Sequence, residues 1–261
     1  MLSLWNKVGF QKPLAKILGQ LGLVQNNPSF KLAQNIIENY GRSSLEYFKL
    51  KEDKSFYFSQ SNQSMISYRI FGPSVIVLGD PVGPSEELEG LIHNFYQICK
   101  AKNKSLCFFQ TSATFMDIYK RLEFHTTTIG NEGFVNLSNF DLKDPVKTNI
   151  REQMRELDAF RYKVRYYKNT NDKQVLEKLR SVSNEWLSRG QQERIFSLGS
   201  FSEEYMKTTT VMTVEDMVGN IVAFINLVPS YKKGDVAIDL IRESNNAPEG
   251  TMEYLLTHTI L

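Results

Sequence analysis

The residues best suited to chemistry lie near the end of the chain, in Val236-Ala-Ile-Asp-Leu-Ile-Arg242. An acid, Asp239, sits inside an apolar alternation, and Arg242 stands where that alternation ends. Asp239 has the parity of Ala237 and Ile241, so a strand over 234–241 sets it among apolar neighbours. A carboxylate enclosed in that way needs a cation or a bound group beside it, whereas the plainer alternative is a surface ion pair. A polar turn, Asn245-Asn-Ala-Pro248, follows, and then Met252, Leu255 and Leu256 recur at helical spacing. A strand that releases a helix through such a turn leaves free N–H groups at the helix start, where a ligand can bind.

A second feature is the basic run from Lys147 to Lys168, in which Lys147, Arg151, Arg155, Arg161, Lys163, Arg165 and Lys168 outnumber Glu152, Glu156 and Asp158. Arg151 and Arg155 share a helix face, and Arg161, Lys163 and Arg165 alternate along a strand face. That track suits a nucleic-acid backbone or an anionic membrane surface, or is a solvated basic face. His93, His125 and His258 are isolated from Cys99 and Cys107, so neither a nucleophilic triad nor metal-ligand spacing is visible, and no cofactor motif stands out. Asp80, in Gly79-Asp-Pro81, reads as a turn residue.

These groups need a scaffold, and 261 residues with 41% hydrophobic and 23% charged content supply one or two folded domains. The net charge of +2 is too small to mark a nucleic-acid binder by itself. The two cysteines read as thiols in a reducing compartment, and no apolar run is long enough to span a bilayer. A basic amphipathic helix is expected over 13–22 and another over 29–39. Strands are expected over 55–61, 65–71 and 75–78, then a helix capped at Ser85. A strand over 106–110, a helix over 114–122 and a closing pair of strands up to Leu137 follow. A similar run begins after residue 145, with a helix over 146–160, a strand over 162–167 and a long helix over 172–189. Three strands over 210–215, 220–228 and 234–241 then lead into the last helix.

This order matches the GNAT-type acyltransferase fold twice. It predicts a mixed α/β (α+β) chain of tandem GNAT-like units: an N-terminal helical arm over 1–40, a first unit over 41–145 and a second over 146–261. Gly41-Arg-Ser-Ser44, Phe56-Tyr-Phe-Ser59, Leu78-Gly-Asp-Pro-Val-Gly83 and Trp186-Leu187 carry a further resemblance, continued in Phe196-Ser-Leu-Gly-Ser-Phe201, Ala223-Phe224 and Pro229-Ser-Tyr231. Ile238-Asp-Leu-Ile-Arg242 and Ala247-Pro-Glu-Gly-Thr-Met-Glu253 complete it. In this order the segments resemble the cytosolic C-terminal domain of the phosphatidylglycerol lysyltransferases, or multiple peptide resistance factors, from about residue 30 onward.

The resemblance implies transfer of an amino acid, lysine in the type reaction, from aminoacyl-tRNA to phosphatidylglycerol at the cytoplasmic face of the membrane. It gives Asp239 and Arg242 as catalytic residues, Arg242 toward a phosphate and Asp239 toward the acceptor hydroxyl or the amino acid's ammonium. Glu253, Thr251, Ser197 and Gly199 become substrate-side groups. For Glu253 the alternative is a solvated helix carboxylate, and for the loop before Gly199 a plain turn. Arg151, Arg155, Arg161, Lys163 and Arg165 become contacts for tRNA or lipid phosphate. Family members carry a membrane-spanning region ahead of this domain and a further strand, helix and basic tail after it, so the second unit here is expected to be truncated. A CoA-dependent acyltransferase and a non-catalytic tRNA- or membrane-binding fragment stand as rivals. Glu86, Glu87 and Glu249 near the helix starts oppose a CoA pyrophosphate.

Overall fold

A computed structural model describes residues 28–261. Helix α1 (Pro28–Tyr40) buries Ala33, Ile36 and Ile37, as the spacing over 29–39 predicts; the helix expected over 13–22 lies outside the described residues. A short helix α2 (Leu45–Lys49) leads into the first sheet. Strands β1 (Ser55–Phe58), β2 (Met65–Phe71) and β3 (Ser74–Leu78) pair antiparallel, and β4 (Ser105–Phe109) pairs parallel to β3. The parallel step needs a crossover, supplied by helix α3 (Ser85–Ala101). The stripe Leu88, Leu91, Ile92, Phe95 and Cys99 is buried on α3, and Leu91, Phe95 and Cys99 pack on Ile66, Val75 and Val77 of the sheet.

After β4 comes helix α4 (Met116–Arg121), but the closing strands expected up to Leu137 are not formed. Residues 123–136 contain no strand, and Ile129, Phe134 and Val135 are exposed. Aromatic and β-branched residues there carry strand propensity, but propensity without a neighbouring strand leaves the backbone donors unpaired.

The second sheet is antiparallel throughout, in the order β5 (Lys163–Lys168), β6 (Thr210–Glu215), β7 (Ile221–Pro229), β8 (Val236–Glu243). Helix α5 (Thr148–Ala159) precedes β5, and helix α6 (Lys173–Ser188) follows it. Asp172 caps α6 by accepting from the Gln174 amide at 2.9 Å. Helix α7 (Glu203–Thr208) is capped in the same way by Ser202, and helix α8 (Thr251–Ile260) ends the chain described here. One face of the sheet packs Val211, Phe224 and Leu240 on Val175, Leu179 and Val182 of α6. The other packs Val214, Ala223 and Ile225 on Leu157 of α5 and on Tyr254 and Leu255 of α8.

The two sheets meet through Phe48, Leu78, Phe196 and Val228, all buried. Burying four such side chains contributes roughly 6–12 kcal/mol as an upper bound, far more than any exposed ion pair. Phe196, from the loop between α6 and α7, meets Phe71 and Phe109 of the first sheet at ring-centroid distances of 5.9 and 6.1 Å. The loop carrying Ser197 and Gly199 is thereby fixed between the sheets.

Candidate active site

The geometry of Asp239 and Arg242 turns on a bulge in β8. Ala237 lies opposite Val228 and Arg242 opposite Phe224. Five residues of β7, 224–228, therefore face six of β8, 237–242, and the extra residue falls at Asp239–Leu240. Such an insertion reverses parity beyond it, so residues 237 and 242 lie on the same face although they are an odd number apart. Ile241, expected to share a face with Asp239, is turned outward and is 42% exposed, while Leu240 and Arg242 are buried. The β-branched alternation of the sequence cannot show this. The fully buried Asn226 stands opposite the bulge, and its Oδ1 accepts the Leu240 amide at 2.7 Å while its Nδ2 donates to Thr209 Oγ1 at 3.3 Å. It supplies the acceptor that the distorted ladder does not.

Asp239 faces the loop between α6 and α7. Its two carboxylate oxygens accept the Gly199 amide at 3.0 and 2.9 Å, and Oδ2 also accepts the Tyr205 hydroxyl at 2.5 Å. Glycine is required at 199 by close approach: a Cβ there would stand 2.1 Å from Asp239 Oδ2 and 2.3 Å from Tyr205 Cε1. Burial pushes the Asp239 carboxyl above the usual carboxylate range, although the Tyr205 hydroxyl, the Gly199 amide and the charges of Lys51 and Arg242 all favour its ionised form. The Tyr205 hydroxyl is driven upward by burial and by Asp239, so it is a donor at any working pH.

The first unit reaches into this site. Lys51, two residues past α2, donates to the carbonyls of Ile195 and Leu198 at 3.1 and 2.9 Å, tying down the loop that offers Gly199. Burial lowers the Lys51 ammonium below the usual lysine range, against the pull of Asp53, Asp239 and Glu193. Tyr47, on α2, stands with its ring centroid 6.2 Å from that of Tyr205.

The Arg242 side chain is only 7% exposed. Its guanidinium lies over the Trp186 ring, 3.6 Å from the centroid, and Nη2 is 3.8 Å from Glu193 Oε1. Glu193 in turn accepts the Phe201 amide at 2.8 Å, so one acid orients both the arginine and the loop. Stacking holds the plane of the guanidinium, and burial lowers its affinity for a proton while Glu193 and Asp239 restore part of it. Its Nε–H is buried with no hydrogen-bond partner among the described residues, as are the hydroxyls of Ser183 on α6 and Ser244 after β8. An unpaired buried donor costs about 1–3 kcal/mol, so an acceptor from a ligand would be well received.

The other sequence-derived candidates are spread more widely. Ser197 is buried in the Gly199 loop. Thr251 is buried and its hydroxyl donates to the Pro248 carbonyl at 2.7 Å, tying the start of α8 to the turn before it, while Glu253 is exposed. Neither forms a hydrogen bond or ion pair with Asp239 or Arg242, and α8 covers the opposite face of the sheet. Arg151 is turned back on its own chain, bonding the carbonyls of Leu142 and Asp144, whereas Arg155, Arg161, Lys163 and Arg165 are exposed. Asp80 behaves as a turn acceptor, taking the Ser112 amide at 2.8 Å and the Tyr119 hydroxyl at 2.9 Å. Sequence reasoning missed Tyr205, Glu193, Lys51 and Asn226 as site residues. Only Asn226 carries a local signal, an amide inside the otherwise apolar Ile221–Val228.

Residues 34–261 match the sequence model of the family described as "Phosphatidylglycerol lysyltransferase, C-terminal". The chain is 28% identical over 228 residues to the phosphatidylglycerol lysyltransferase of Staphylococcus haemolyticus, covering 87% of this chain and 27% of that protein. It is 28% identical over 221 residues to the one of Bacillus subtilis, covering 85% and 26%. The chain thus spans about a quarter of the length of the curated relatives it matches. Its fold is similar to that of L-PGS from Bacillus licheniformis, with TM-score 0.80 and 28% identity over 88% of this chain and 70% of that one. It is also similar to the C-terminal domain of a putative lysylphosphatidylglycerol synthetase from Agrobacterium fabrum, with TM-score 0.79 and 26% identity over 89% and 73%.

Proposed function

This chain belongs to the phosphatidylglycerol lysyltransferase C-terminal family, and from that premise we propose that it carries the aminoacyl-transfer site. In this reading lysine moves from aminoacyl-tRNA to a glycerol hydroxyl of phosphatidylglycerol at the cytoplasmic membrane surface. The two sheets correspond to tandem GNAT-like units divided near residue 145. The ester of the donor is already activated, so the protein must position the hydroxyl, accept its proton and stabilise the oxyanion. The acceptor oxygen bonds to the ester carbonyl carbon, the bond from that carbon to the ribose oxygen breaks, and the hydroxyl proton ends on the ribose oxygen.

The observation that carries this reading is the placement of Asp239 and Arg242, both enclosed, on one face of β8. Burial raises the Asp239 carboxyl toward neutrality, the direction that suits a general base, and Tyr205 and Gly199 hold it in one orientation. Arg242, with a free buried Nε–H and its plane fixed on Trp186, receives a phosphate or the developing oxyanion. Glu86 and Glu87 in the first turn of α3 weigh against a CoA pyrophosphate there. Neither a CoA-dependent reading nor a non-catalytic one is favoured by the relatives.

The test is transfer of labelled lysine from lysyl-tRNA into phosphatidylglycerol vesicles. It uses this chain alone and also a chimera in which it replaces the matching part of the Staphylococcus haemolyticus relative. Asp239→Asn should lower transfer on the order of a hundredfold, the usual scale for a positioned catalytic group. Full activity of Asp239→Asn in the chimera would overturn the assignment.

A further inference from the structure

The end of the second sheet opposite the β7–β8 turn carries exposed apolar and basic groups together. The β6–β7 turn places Met217 and Val218 at its tip, 68% and 75% exposed. It is a stiff turn: Asp216 Oδ1 accepts the amides of Val218 and Asn220 at 3.0 and 2.8 Å, and Lys178 of α6 donates to the Gly219 carbonyl at 2.6 Å. Two large apolar side chains are therefore held outward, with no packing role to explain them.

Met217 and Gly219 line a cleft of ≈ 810 Å³ together with Arg161, Lys163 and Arg165. Beside Arg161, Phe160 is 62% exposed. The cleft also has three acids, each held back against the protein by a donor of its own chain. Asp158 accepts the Tyr254 hydroxyl at 2.6 Å, Glu215 accepts the Tyr167 hydroxyl at 2.7 Å, and Asp216 is the turn acceptor. The side chains of Arg161 and Lys163 have no hydrogen-bonding or ionic partner among the described residues, while Arg165 forms a long ion pair with Glu215 at 3.9 Å. Cations left free beside apolar tips are complementary to an interface that offers phosphates outside and acyl chains beneath.

We propose that this face docks the protein on an anionic bilayer, Met217 and Val218 entering the headgroup–acyl boundary while Arg161, Lys163 and Arg165 take lipid phosphates. A nucleic-acid backbone would use the cations but has no use for two apolar side chains at a turn tip. The inference rests on the reading above, in which the acceptor is a bilayer lipid, and it names the surface that presents the protein to it.

The test is co-sedimentation of the full chain with vesicles of equal parts phosphatidylglycerol and phosphatidylcholine, beside vesicles of phosphatidylcholine alone and beside tRNA. Binding to the anionic vesicles is expected. It should fall about tenfold for Met217→Asp with Val218→Asp, with tRNA affinity and Tm unchanged, because both side chains are exposed. Met217→Ser with Val218→Ser serves if the acidic pair does not fold. Arg161→Glu with Lys163→Glu should fall at least tenfold on vesicles, with a shallower salt dependence of what remains. Vesicle binding unchanged by the tip substitutions would overturn the proposal. So would a charge-reversed variant that loses tRNA but keeps vesicles, which marks an RNA surface instead. Transfer to dispersed short-chain phosphatidylglycerol separates the two readings. If wild type binds vesicles through the tip but transfers to neither form of lipid, docking stands and the transfer assignment fails.

Discussion

Replacing Gly199 by alanine perturbs the site by the smallest possible group at its tightest point. The new Cβ would lie 2.1 Å from Asp239 Oδ2 and 2.3 Å from Tyr205 Cε1, where ordinary contact begins at 3.4 Å. Relief requires a shift of roughly 1.3 Å in the loop or the carboxylate, which stretches the 2.9 Å amide–carboxylate bond beyond hydrogen-bonding range. A hydrogen bond to a charged group contributes about 1.5–3 kcal/mol, so transfer should fall roughly tenfold to more than a hundredfold. Part of the same loss appears as a lower Tm. The Gly199 amide holds the Asp239 carboxyl down against burial, so without it the carboxyl rises further and the acidic limb of the pH–rate profile moves to higher pH. Gly90→Ala on α3 is the control: it has open space around the new Cβ and should leave transfer unchanged while stabilising the helix by up to about 1 kcal/mol. Steady-state transfer across pH, with melting curves for both variants, reads all of this. An unshifted pH profile with full activity in Gly199→Ala would refute the idea that this amide sets the state of Asp239.

Asn226→Ala should leave the Leu240 amide without its acceptor, costing about 2 kcal/mol, and lower Tm by roughly 4–8 °C in a thermal melt. Transfer should fall more than the lost stability explains, because the bulge orients Asp239. Arg242→Lys should lower transfer at least tenfold, more than the accompanying fall in Tm explains, since an ammonium can neither fork to an oxyanion nor stack flat on Trp186; the Trp186 emission reports the lost stacking. Lys54, buried beside Asp53 with its ammonium over the Phe196 ring, is pulled by burial down to about 8. Its folded value lies below the unfolded one, so the unfolded state binds more protons between about pH 8 and 10.5 and stability should rise with pH in that window. Lys54→Met should flatten this rise in denaturant titrations, and an unchanged slope would remove Lys54 from the account.

Local patterns in the sequence were sufficient for most of the framework. The 3.6-residue stripe from Leu88 to Cys99 is a helix because five apolar side chains on one face can be buried at once, and Asp172 marks the start of α6 by satisfying two of its free amides. The same reasoning drew attention to Asp239 and Arg242, since charges within or at the end of an apolar strand are costly unless used. It failed where the outcome depended on distant partners. Residues 123–136 have strand-like composition, but a strand exists only if another strand completes its hydrogen bonds, and none does here. Parity alone put Asp239 with Ile241. The tertiary structure put it with Leu240 and Arg242, because Asn226, from another strand, stabilises one extra residue in β8. Lys51 and Tyr205 were illegible for the same reason: Lys51 meets the site only after the two sheets close on Phe196, and Tyr205 only after α7 packs on the second sheet. A repeat in sequence determines which face of an element is apolar, whereas register, bulges and contacts between sheets are settled by pairings whose partners lie scores of residues away.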